Sequence, residues 1–344
     1  MDNTNLNKAK NAKNDEFYTR IEDINAELVH YEHHFKGKTV LCNCDDPTWS
    51  AFWKYFHLNF KKLGLKKLIS THYDREKPTY KMEYTGGDDN DISTGVKTPL
   101  EGNGDFRNAE CIEILKEADI VVTNPPFSLF REYVAVLMEH KKKFLIIGNK
   151  NAISNKEFFP LLKNEDVWIG YNSVHEFEQP DGSIKKFGNI GWFTNLDIAR
   201  RHEKLILWKN YTPEEYPTYD NYDAIEVSKT ADIPCNYGGV MGVPITFMDK
   251  YNPEQFEVLG IANGCGDFDD KPLKRYQNAK QHALKNGKWI ITNGSKVNTR
   301  ACIRINPSND VYYTADNIDY NIKSLYARIL IRRKDDTNGK HHNL

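Results

Sequence analysis

Residues 119–150 read DIVVTNPPFSLFREYVAVLMEHKKKFLIIGNK, and this stretch decides the fold. It contains a short apolar run (119–124), a break at two prolines, an amphipathic run (128–141) and a second apolar run (143–150). Apolar residues at helical spacing in the middle run predict a helix, whereas the flanking runs have the length of buried strands. A strand, a helix and a strand in this order predict two parallel strands in one sheet.

The same alternation continues towards the N-terminus. Strands are predicted at 38–46 and 66–74, and helices at 20–35, 50–64 and 111–118, with a polar stretch rich in Gly and Asp at 85–105. This order favours an α/β fold with a doubly wound, mostly parallel sheet. Ligands bind such sheets at the carboxyl ends of the strands, so we expect functional loops after Cys44, Ser70 and Thr123.

From about residue 166 the pattern changes. VWIGYNSVHEF and KKFGNIGWFTNL flank QPDGS, whose Asp-Gly pair predicts a β-hairpin that completes the sheet. Beyond Asn210 the predicted strands are shorter, and Pro, Tyr, Asn and Gly are frequent. We therefore predict a disordered segment at 1–14, a first domain at 15–210 and a second region at 211–344.

The composition excludes a membrane or disulfide-rich protein. Hydrophobic residues make up 39% of the chain and charged residues 28%, and no run of about 18 apolar residues occurs. No signal-peptide pattern precedes the first predicted helix. The cysteines form no C-x-x-C pair, which argues against a zinc knuckle; they are Cys42, Cys44, Cys111, Cys235, Cys265 and Cys302. We expect a reduced, cytoplasmic protein.

The net charge of −1 conceals an asymmetry between the two ends of the chain. Residues 271–344 carry 15 Lys and Arg against 5 Asp and Glu, a net charge of +10, so the preceding residues carry −11. A basic segment on an acidic body indicates a polyanionic partner, since binding phosphates releases counterions. A solvated basic surface without a partner is the alternative.

Asn124-Pro125-Pro126-Phe127 directly follows the strand DIVVT. The two prolines stop the strand and stiffen the backbone, which orients the Asn124 side chain and the Pro125 carbonyl as two acceptors. The amino nitrogen of adenine is a poor nucleophile because its lone pair is delocalised. Two acceptors for its hydrogens would free that lone pair, and the Phe127 ring could stack on the base. An ordinary turn is the alternative interpretation.

Taken together, the motifs resemble those of the EcoRI-type adenine-specific DNA methyltransferases. The resemblance covers roughly residues 13–265, in KNDEFYTRIEDINAEL (13–28), VLCNCDDP (40–47), GDFR (104–107), NPPFSLFREYV (124–134), IGWFTNL (190–196) and GVPITFMDKYNPEQFEVLGI (242–261). It implies a Rossmann-like fold that binds S-adenosylmethionine and methylates the N6 amine of an adenine flipped out of duplex DNA. Transfer from a sulfonium is a direct displacement, so no metal is implied.

The resemblance also implies a set of cofactor residues. These are Asp15, Glu16, Phe17, Tyr18 and Thr19 in an N-terminal motif, Asp45, Asp46 and Pro47 after the first strand, and Asp105 with Phe106 for the cofactor adenine. Asp74 is the candidate for the ribose hydroxyls, and carboxylates suit such donors. The alternative role for Asp105 is that of a helix N-cap or a turn residue. The first-strand loop lacks the glycines of most methyltransferases, as in the EcoRI type.

Duplex DNA is the expected partner of the basic C-terminal region. Its candidate contact residues are Lys296, Arg300, Arg304, Arg328, Arg332 and Arg333. A separately encoded restriction endonuclease would accompany the enzyme in a restriction–modification system, and none would accompany an orphan enzyme. Two alternatives are an RNA amino-methyltransferase, acting on guanine N2 or adenine N6, and a catalytically inactive DNA-binding protein.

Overall fold

The computed structural model describes residues 18–44, 46–75, 79–179, 181–263, 272–306 and 311–334. The chain forms two compact units. The first unit contains the residues up to Ala152 together with Asp166–Ile198, and the second contains Ile153–Glu165 and the chain from Ala199 onward. The predicted boundary near residue 210 lies inside the second unit. The assignment of catalysis to the first part and of DNA recognition to the second stays a prediction.

The first unit contains a nine-stranded sheet. Its strands are β1 (Tyr18–Thr19), β2 (Thr39–Cys44), β3 (Lys67–His72), β4 (Tyr80–Tyr84), β5 (Val96–Pro99), β6 (Ile120–Thr123), β7 (Lys143–Asn149), β8 (Trp168–Glu178) and β9 (Ile184–Thr194). They lie in the order β1-β8-β9-β7-β6-β2-β3-β4-β5. The central strands β7, β6, β2 and β3 are parallel, whereas the strands at both edges are antiparallel. The architecture is mixed α/β, as predicted, with a parallel centre.

Helices connect the parallel strands. The α-helices are α1 (Ile21–Leu28), α2 (Ala51–Leu58), α3 (Phe60–Leu63), α4 (Ala109–Glu117), α5 (Phe130–Glu139) and α6 (Phe159–Lys163). Short 3-10 helices span Val29–His34, Phe127–Leu129, Lys150–Ser154, Ala199–His202, Thr230–Asp232, Ile245–Lys250 and Ser295–Asn298. The predicted helix at 50–64 is divided at Asn59 and ends at Gly64, whose positive φ of 63° closes it.

Both faces of the sheet are covered. On one face, Val40 and Cys42 of β2 pack in a single core cluster with side chains of α1 and α2. On the other face, Phe130 of α5 lies 5.2 Å from Phe193, between ring centroids. Gly148 in β7 makes room for that ring, because a Cβ there would lie 2.3 Å from a Phe130 ring carbon. The sheet is therefore doubly wound, and its parallel strands are buried.

The strand order reverses at β2. This strand pairs with β3 on one side and with β6 on the other, all in parallel. Ligands of open α/β sheets bind outside the carboxyl ends of the strands at such a reversal. The loop that begins after Cys44 and the loop that begins at Asn124 therefore flank the expected ligand position.

A buried carboxylate joins α1 to β8. Glu27 is fully buried and accepts hydrogen bonds from the Tyr31 hydroxyl (2.8 Å) and from the backbone N–H groups of Tyr171 and Asn172 (2.8 Å each). The register of β8 against β9 shifts between Ile169 and Ser173, so Glu27 binds the backbone of this bulge. The Glu27 carboxylate thus accepts from two backbone N–H groups of β8 at the point where the pairing of β8 with β9 is interrupted.

Replacing Glu27 by alanine is expected to lower the free energy of unfolding by at least about 3 kcal/mol. Each buried donor left unsatisfied costs about 1–3 kcal/mol, and Glu27 satisfies several. Urea denaturation measures the loss, and Glu22→Ala is the matched control, because Glu22 lies on the same helix with its side chain 67% exposed. A loss below 1 kcal/mol would show that water replaces the carboxylate at the bulge.

The antiparallel edge strands β4 and β5 were not predicted. β5 falls in the polar stretch 85–105, and all its residues are exposed, so it has no apolar alternation for the sequence to display. It pairs with β4, and the loop between them is held by the Trp53 indole, which donates to the Ile92 carbonyl at 2.9 Å. This polar hairpin extends the sheet beyond β3.

The second unit contains two sheets. Their strands are β10 (Ile225–Glu226), β11 (Met241–Pro244), β12 (Phe256–Ala262), β13 (Lys280–Lys285), β14 (Lys288–Asn293), β15 (Cys302–Ile305), β16 (Tyr312–Thr314), β17 (Asn321–Ser324) and β18 (Arg328–Arg333). The orders are β10-β11-β18-β12 and β14-β13-β16-β17-β15. The second sheet is antiparallel throughout. Among the described residues, no helix is long and apolar enough to cross a bilayer.

Candidate active site

Asn124 stands at the carboxyl end of β6, next to the reversal of strand order. Asn124 is 7% exposed and Pro125 is buried, so the loop begins inside the protein. The Pro126 carbonyl accepts from the Leu129 N–H at 2.9 Å and starts a 3-10 helix. The described residues make no hydrogen bond to the Pro125 carbonyl. Two hydrogen-bond acceptors are thus held on stiff backbone where the sheet opens.

Phe127 lies in an aromatic cluster with the β8–β9 hairpin. Its ring centroid is 5.8 Å from that of Phe177 and 6.0 Å from that of Phe187, both nearly edge-on. The ring is half-buried, and the hairpin fixes its position. A base that stacks on Phe127 must use the exposed part of the ring, so this predicted role stays a prediction.

Asp46 closes the loop after β2. Its Oδ1 accepts from the Thr48 backbone N–H (2.9 Å), the Thr48 hydroxyl (2.7 Å) and the Tyr80 hydroxyl (2.7 Å), and its Oδ2 lies 3.5 Å from His72 Nε2. Burial raises the pKa of Asp46, but these hydrogen bonds and His72 outweigh it and hold the pKa below its usual range. An ionised carboxylate therefore stands beside the end of β3, and Pro47 is buried behind it.

The loop after β3 meets the loop before α4. The Asp74 N–H donates to the Asn103 carbonyl at 3.0 Å, and the Asn103 side chain accepts from the Asp105 N–H at 3.2 Å. Gly104 has a φ of 75°, and a Cβ there would lie 1.9 Å from the His72 carbonyl oxygen, so only glycine fits. Asp74 and Asp105 are thereby placed on adjoining loops, and their cofactor roles stay predictions.

Asp105 already has a cationic partner. The Arg107 guanidinium donates to Asp105 through Nε (2.9 Å) and Nη2 (2.7 Å), and its Nη1 reaches Glu132 at 2.9 Å. This bidentate pair lowers the pKa of Asp105 despite its partial burial. A carboxylate has about four acceptor positions, so Oδ2 can still accept from a further donor. Arg107 is the last residue of the GDFR motif (104–107), and its pairing with Asp105 was not predicted.

Tyr133 connects the two functional loops, and the sequence did not single it out. It is fully buried on α5, and its hydroxyl donates to the Asn43 side chain in β2. Its ring also packs edge-on against Phe106, with centroids 5.0 Å apart. Tyr133 therefore ties the helix that follows Asn124 to the strand that precedes Asp46.

A cleft of about 610 Å³ lies beside β1 and α2. Tyr18, Thr19, Trp49 and Lys54 line it, and the Tyr18 and Trp49 rings are 5.6 Å apart between centroids. Asn124 and Asp105 do not line this cleft, so it includes only the N-terminal part of the predicted site. Phe17, Asp45, Asp15 and Glu16 lie outside the described residues.

The candidate DNA-contact residues of the second unit differ in their availability. Lys296 is exposed, and the Arg300 guanidinium lies 5.5 Å from the Tyr326 ring centroid. Arg332 makes a loose pair with Glu257 at 3.7 Å, and Arg333 donates to the Cys235 carbonyl. Lys296 and Arg332 are thus exposed, whereas Arg300 and Arg333 are half-buried.

Arg328 has a structural partner instead. Its guanidinium donates to both oxygens of Glu226, through Nη2 at 2.8 Å and Nε at 3.0 Å, and the two side chains are 13% and 4% exposed. A buried bidentate pair consumes the donors that a phosphate would need. This pairing links β18 to β10 and leaves Arg328 fewer donors for DNA, so its predicted DNA contact stays a prediction.

Asp220 binds two further cations of this unit. Its carboxylate, 1% exposed, accepts from Arg304 Nε (2.8 Å), Lys274 Nζ (3.1 Å) and the hydroxyls of Tyr276 and Tyr320 (2.8 Å each). Burial raises its pKa, but these donors lower it to about 2. Arg304 also stacks on Tyr320, at 4.0 Å from the ring centroid. Arg304 is thus held in place rather than free.

Asp220 should make stability depend on acid pH. A carboxyl with a pKa of about 2 in the folded state and about 3.9 when unfolded stabilises fully above pH 4 and loses this stabilisation as the pH falls through 2. The difference in unfolding free energy between the parent and Asp220→Asn is therefore expected to be largest near neutrality and to shrink from about pH 4 to pH 2. If the difference in unfolding free energy between the parent and Asp220→Asn does not depend on pH, the lowered pKa of Asp220 is contradicted.

The described residues contain no group of three or more potential metal ligands.

The family model described as "Adenine-specific methyltransferase EcoRI" matches residues 5–334. The Type II methyltransferase M.EcoRI of Escherichia coli is 45% identical, in an alignment that covers 77% of this chain and 91% of the relative. M.MpnI of Mycoplasma pneumoniae is 40% identical, with coverage of 82% and 94%. No solved structure matches the chain.

M.MgeORF184P of Mycoplasma genitalium, a Type II methyltransferase by name, is 37% identical, and the alignment covers 87% of this chain and 98% of the relative. These matches extend through both units of the fold. They confirm the resemblance that the sequence motifs indicated. The chain therefore belongs to the EcoRI family of adenine-specific methyltransferases.

Proposed function

We propose that this enzyme transfers the methyl group of S-adenosylmethionine to the N6 amine of an adenine in a specific sequence of duplex DNA. The observation that carries the proposal is the Asn-Pro-Pro-Phe loop at the end of β6, beside the reversal of strand order. Its two acceptors suit an exocyclic amine. The relatives' designation as Type II methyltransferases supports a DNA substrate.

The residues around the strand ends fit the proposed cofactor. Two buried polar atoms, Thr19 Oγ1 and His72 Nδ1, have no hydrogen-bond partner within the described part of the chain. Asp46, Asp74 and Asp105 stand on the neighbouring loops and can accept from amine and hydroxyl donors. In this proposal Asp74 takes the ribose hydroxyls and Asp105 the adenine amine, whereas Tyr18 and Thr19 contact the remainder.

The bound cofactor supplies an electrophilic methyl group on a sulfonium. Asn124 and the Pro125 carbonyl accept the two hydrogens of the adenine amine, which concentrates its lone pair on nitrogen and stabilises the positive charge that develops there. The buried position of Asn124 strengthens this interaction by excluding water. The loop also orients the amine, and displacement of this type depends on alignment.

Duplex DNA must release the target base from the stack, at a cost of roughly a few kcal/mol. The second unit, with its net positive C-terminal segment, is proposed to hold the flanking DNA. Residues 211–344 would thus act as the recognition region. In a restriction–modification system, a separately encoded restriction endonuclease would act on the same DNA sequence.

Two cations of the second unit should respond differently to replacement by alanine, one in DNA binding and the other in folding stability. Lys296→Ala is expected to weaken binding modestly and to reduce the slope of log K against log salt by about 1, since one phosphate contact is lost. Arg328→Ala should instead lower the unfolding free energy by about 3–5 kcal/mol, because Glu226 is left buried and unpaired. If the salt slope of Lys296→Ala equals that of the parent protein, Lys296 contacts no phosphate.

Radiolabelled S-adenosylmethionine tests the proposed substrate. Unmethylated duplex DNA and structured RNA are offered side by side, and only the DNA is expected to gain label. Label in the RNA alone would favour an RNA methyltransferase. Cofactor binding without transfer to either polymer would favour an inactive DNA-binding protein.

A further inference from the structure

The β13–β14 hairpin extends beyond the body of its sheet. β13 pairs with β16 only through Lys280–His282, whereas its pairing with β14 continues to Lys285↔Lys288. Every residue of β14 is exposed. Asn286 and Gly287 form the turn with φ values of 51° and 74°, the conformation of a tight two-residue hairpin. The outer half of this hairpin is therefore a two-stranded ribbon surrounded by solvent.

One face of the ribbon carries exposed apolar side chains. Leu284 is paired with Trp289, and His282 with Ile291, so all four share a face. Leu284, Trp289 and Ile291 are 41%, 45% and 57% exposed. Tyr312 stacks on His282 with ring centroids 4.6 Å apart and meets Trp289 edge-on at 5.3 Å. Several large apolar groups on one open face indicate a binding surface.

The charge of the ribbon identifies the kind of partner. Residues 280–293 read KQHALKNGKWIITN and contain Lys280, Lys285 and Lys288 but no Asp or Glu. Lys285 and Lys288 stand directly opposite each other at the tip. Like charges in this position destabilise a hairpin, and an anionic partner removes that repulsion. Lys280 shares the face of Trp289, and Lys285 and Lys288 lie on the opposite face, so cations flank the aromatic face. This arrangement suits a nucleic acid better than a second copy of the chain.

We propose that the β13–β14 hairpin enters the major groove of the DNA that this enzyme methylates. The inference rests on the proposed action on duplex DNA. Strands lie about 5 Å apart, so a ribbon with its side chains fits the major groove, which is about 12 Å wide, and not the minor groove, about 6 Å wide. The lysines at the tip contact phosphates, and the face with Trp289 contacts base edges.

Binding to a 30-base-pair duplex that the parent protein methylates tests the proposal. Trp289→Ala is expected to raise Kd at least 10-fold, and Trp208→Ala, which removes a 67%-exposed tryptophan of the same unit, to change Kd less than twofold. The double variant Lys285→Ala, Lys288→Ala should reduce the salt slope by about 2. Affinity for S-adenosylmethionine should be unchanged in all variants.

The outcomes separate this inference from the proposed function. If the parent methylates no DNA, the proposed function fails. If the parent methylates DNA but Trp289→Ala binds the duplex within twofold of it, or if both tryptophan variants lose affinity equally, the hairpin is not a groove contact. Concentration-dependent dimers that Trp289→Ala abolishes, with DNA affinity retained, would make the hairpin a contact between two copies of the chain.

Discussion

Replacing Asn124 by alanine is expected to lower the methyl-transfer rate at saturating DNA and cofactor by about 10²–10³-fold. The substitution removes one of the two acceptors for the adenine amine, and loss of one aimed transition-state partner costs about 2.7–4 kcal/mol. Asn124 lies at the buried end of β6, so its side chain is held where charge develops. Single-turnover kinetics measure the chemical step without product release.

Cofactor affinity should not change in the Asn124→Ala protein, because none of the proposed cofactor contacts involves this residue. Asn151→Ala is the matched control: Asn151 is an exposed asparagine after the neighbouring strand β7, and its replacement should leave the rate unchanged. A rate for Asn124→Ala within threefold of the parent would remove Asn124 from the chemistry.

Replacing Asp105 by alanine is expected to weaken S-adenosylmethionine binding by about 10–100-fold, with DNA affinity retained. A hydrogen bond to a charged group contributes about 1.5–3 kcal/mol. The substitution removes the carboxylate that is proposed to accept such a bond from the amine of the cofactor adenine. Equilibrium titration of each ligand measures the two affinities separately.

Arg107 makes this test sharper, because it binds the same carboxylate. If Asp105 acts only by anchoring Arg107, then Arg107→Met should weaken cofactor binding as much as Asp105→Ala does. If Asp105 accepts directly from the cofactor, Arg107→Met should have a smaller effect, and Glu132→Ala, which removes the other partner of Arg107, should have almost none. Loss of DNA affinity alone in Asp105→Ala would assign the acid to another site.

The parallel centre of the fold could be predicted because its causes are local. β6 and β7 are apolar runs of strand length, and the prolines after Thr123 end the first of them wherever the sheet lies. The hairpin between β8 and β9 was likewise predicted from Asp-Gly, and Gly182 has the positive φ that such a turn requires. Strand β5 was missed because its residues face solvent on both sides.

The partners of the site residues could not be predicted, because they come from distant parts of the chain. Tyr133 and Asn43 are 90 residues apart, and Arg328 and Glu226 are 102 residues apart. Charge counting treats every Lys and Arg as available, whereas Arg328 is buried against Glu226, and Arg304, although 66% exposed, is paired with Asp220. The tertiary fold decides which cations face solvent, and the C-terminal charge of +10 therefore overstates the cations available to DNA.

Analysis of the methylated product tests the central claim most directly. Unmethylated duplex DNA is incubated with the parent protein and isotopically labelled S-adenosylmethionine, digested to nucleosides and separated by mass spectrometry. All label is expected in N6-methyladenine, and the label should fall about 10²–10³-fold with Asn124→Ala. Label in a cytosine or guanine derivative, or N6-methyladenine formed equally by the parent and by Asn124→Ala, would contradict the account.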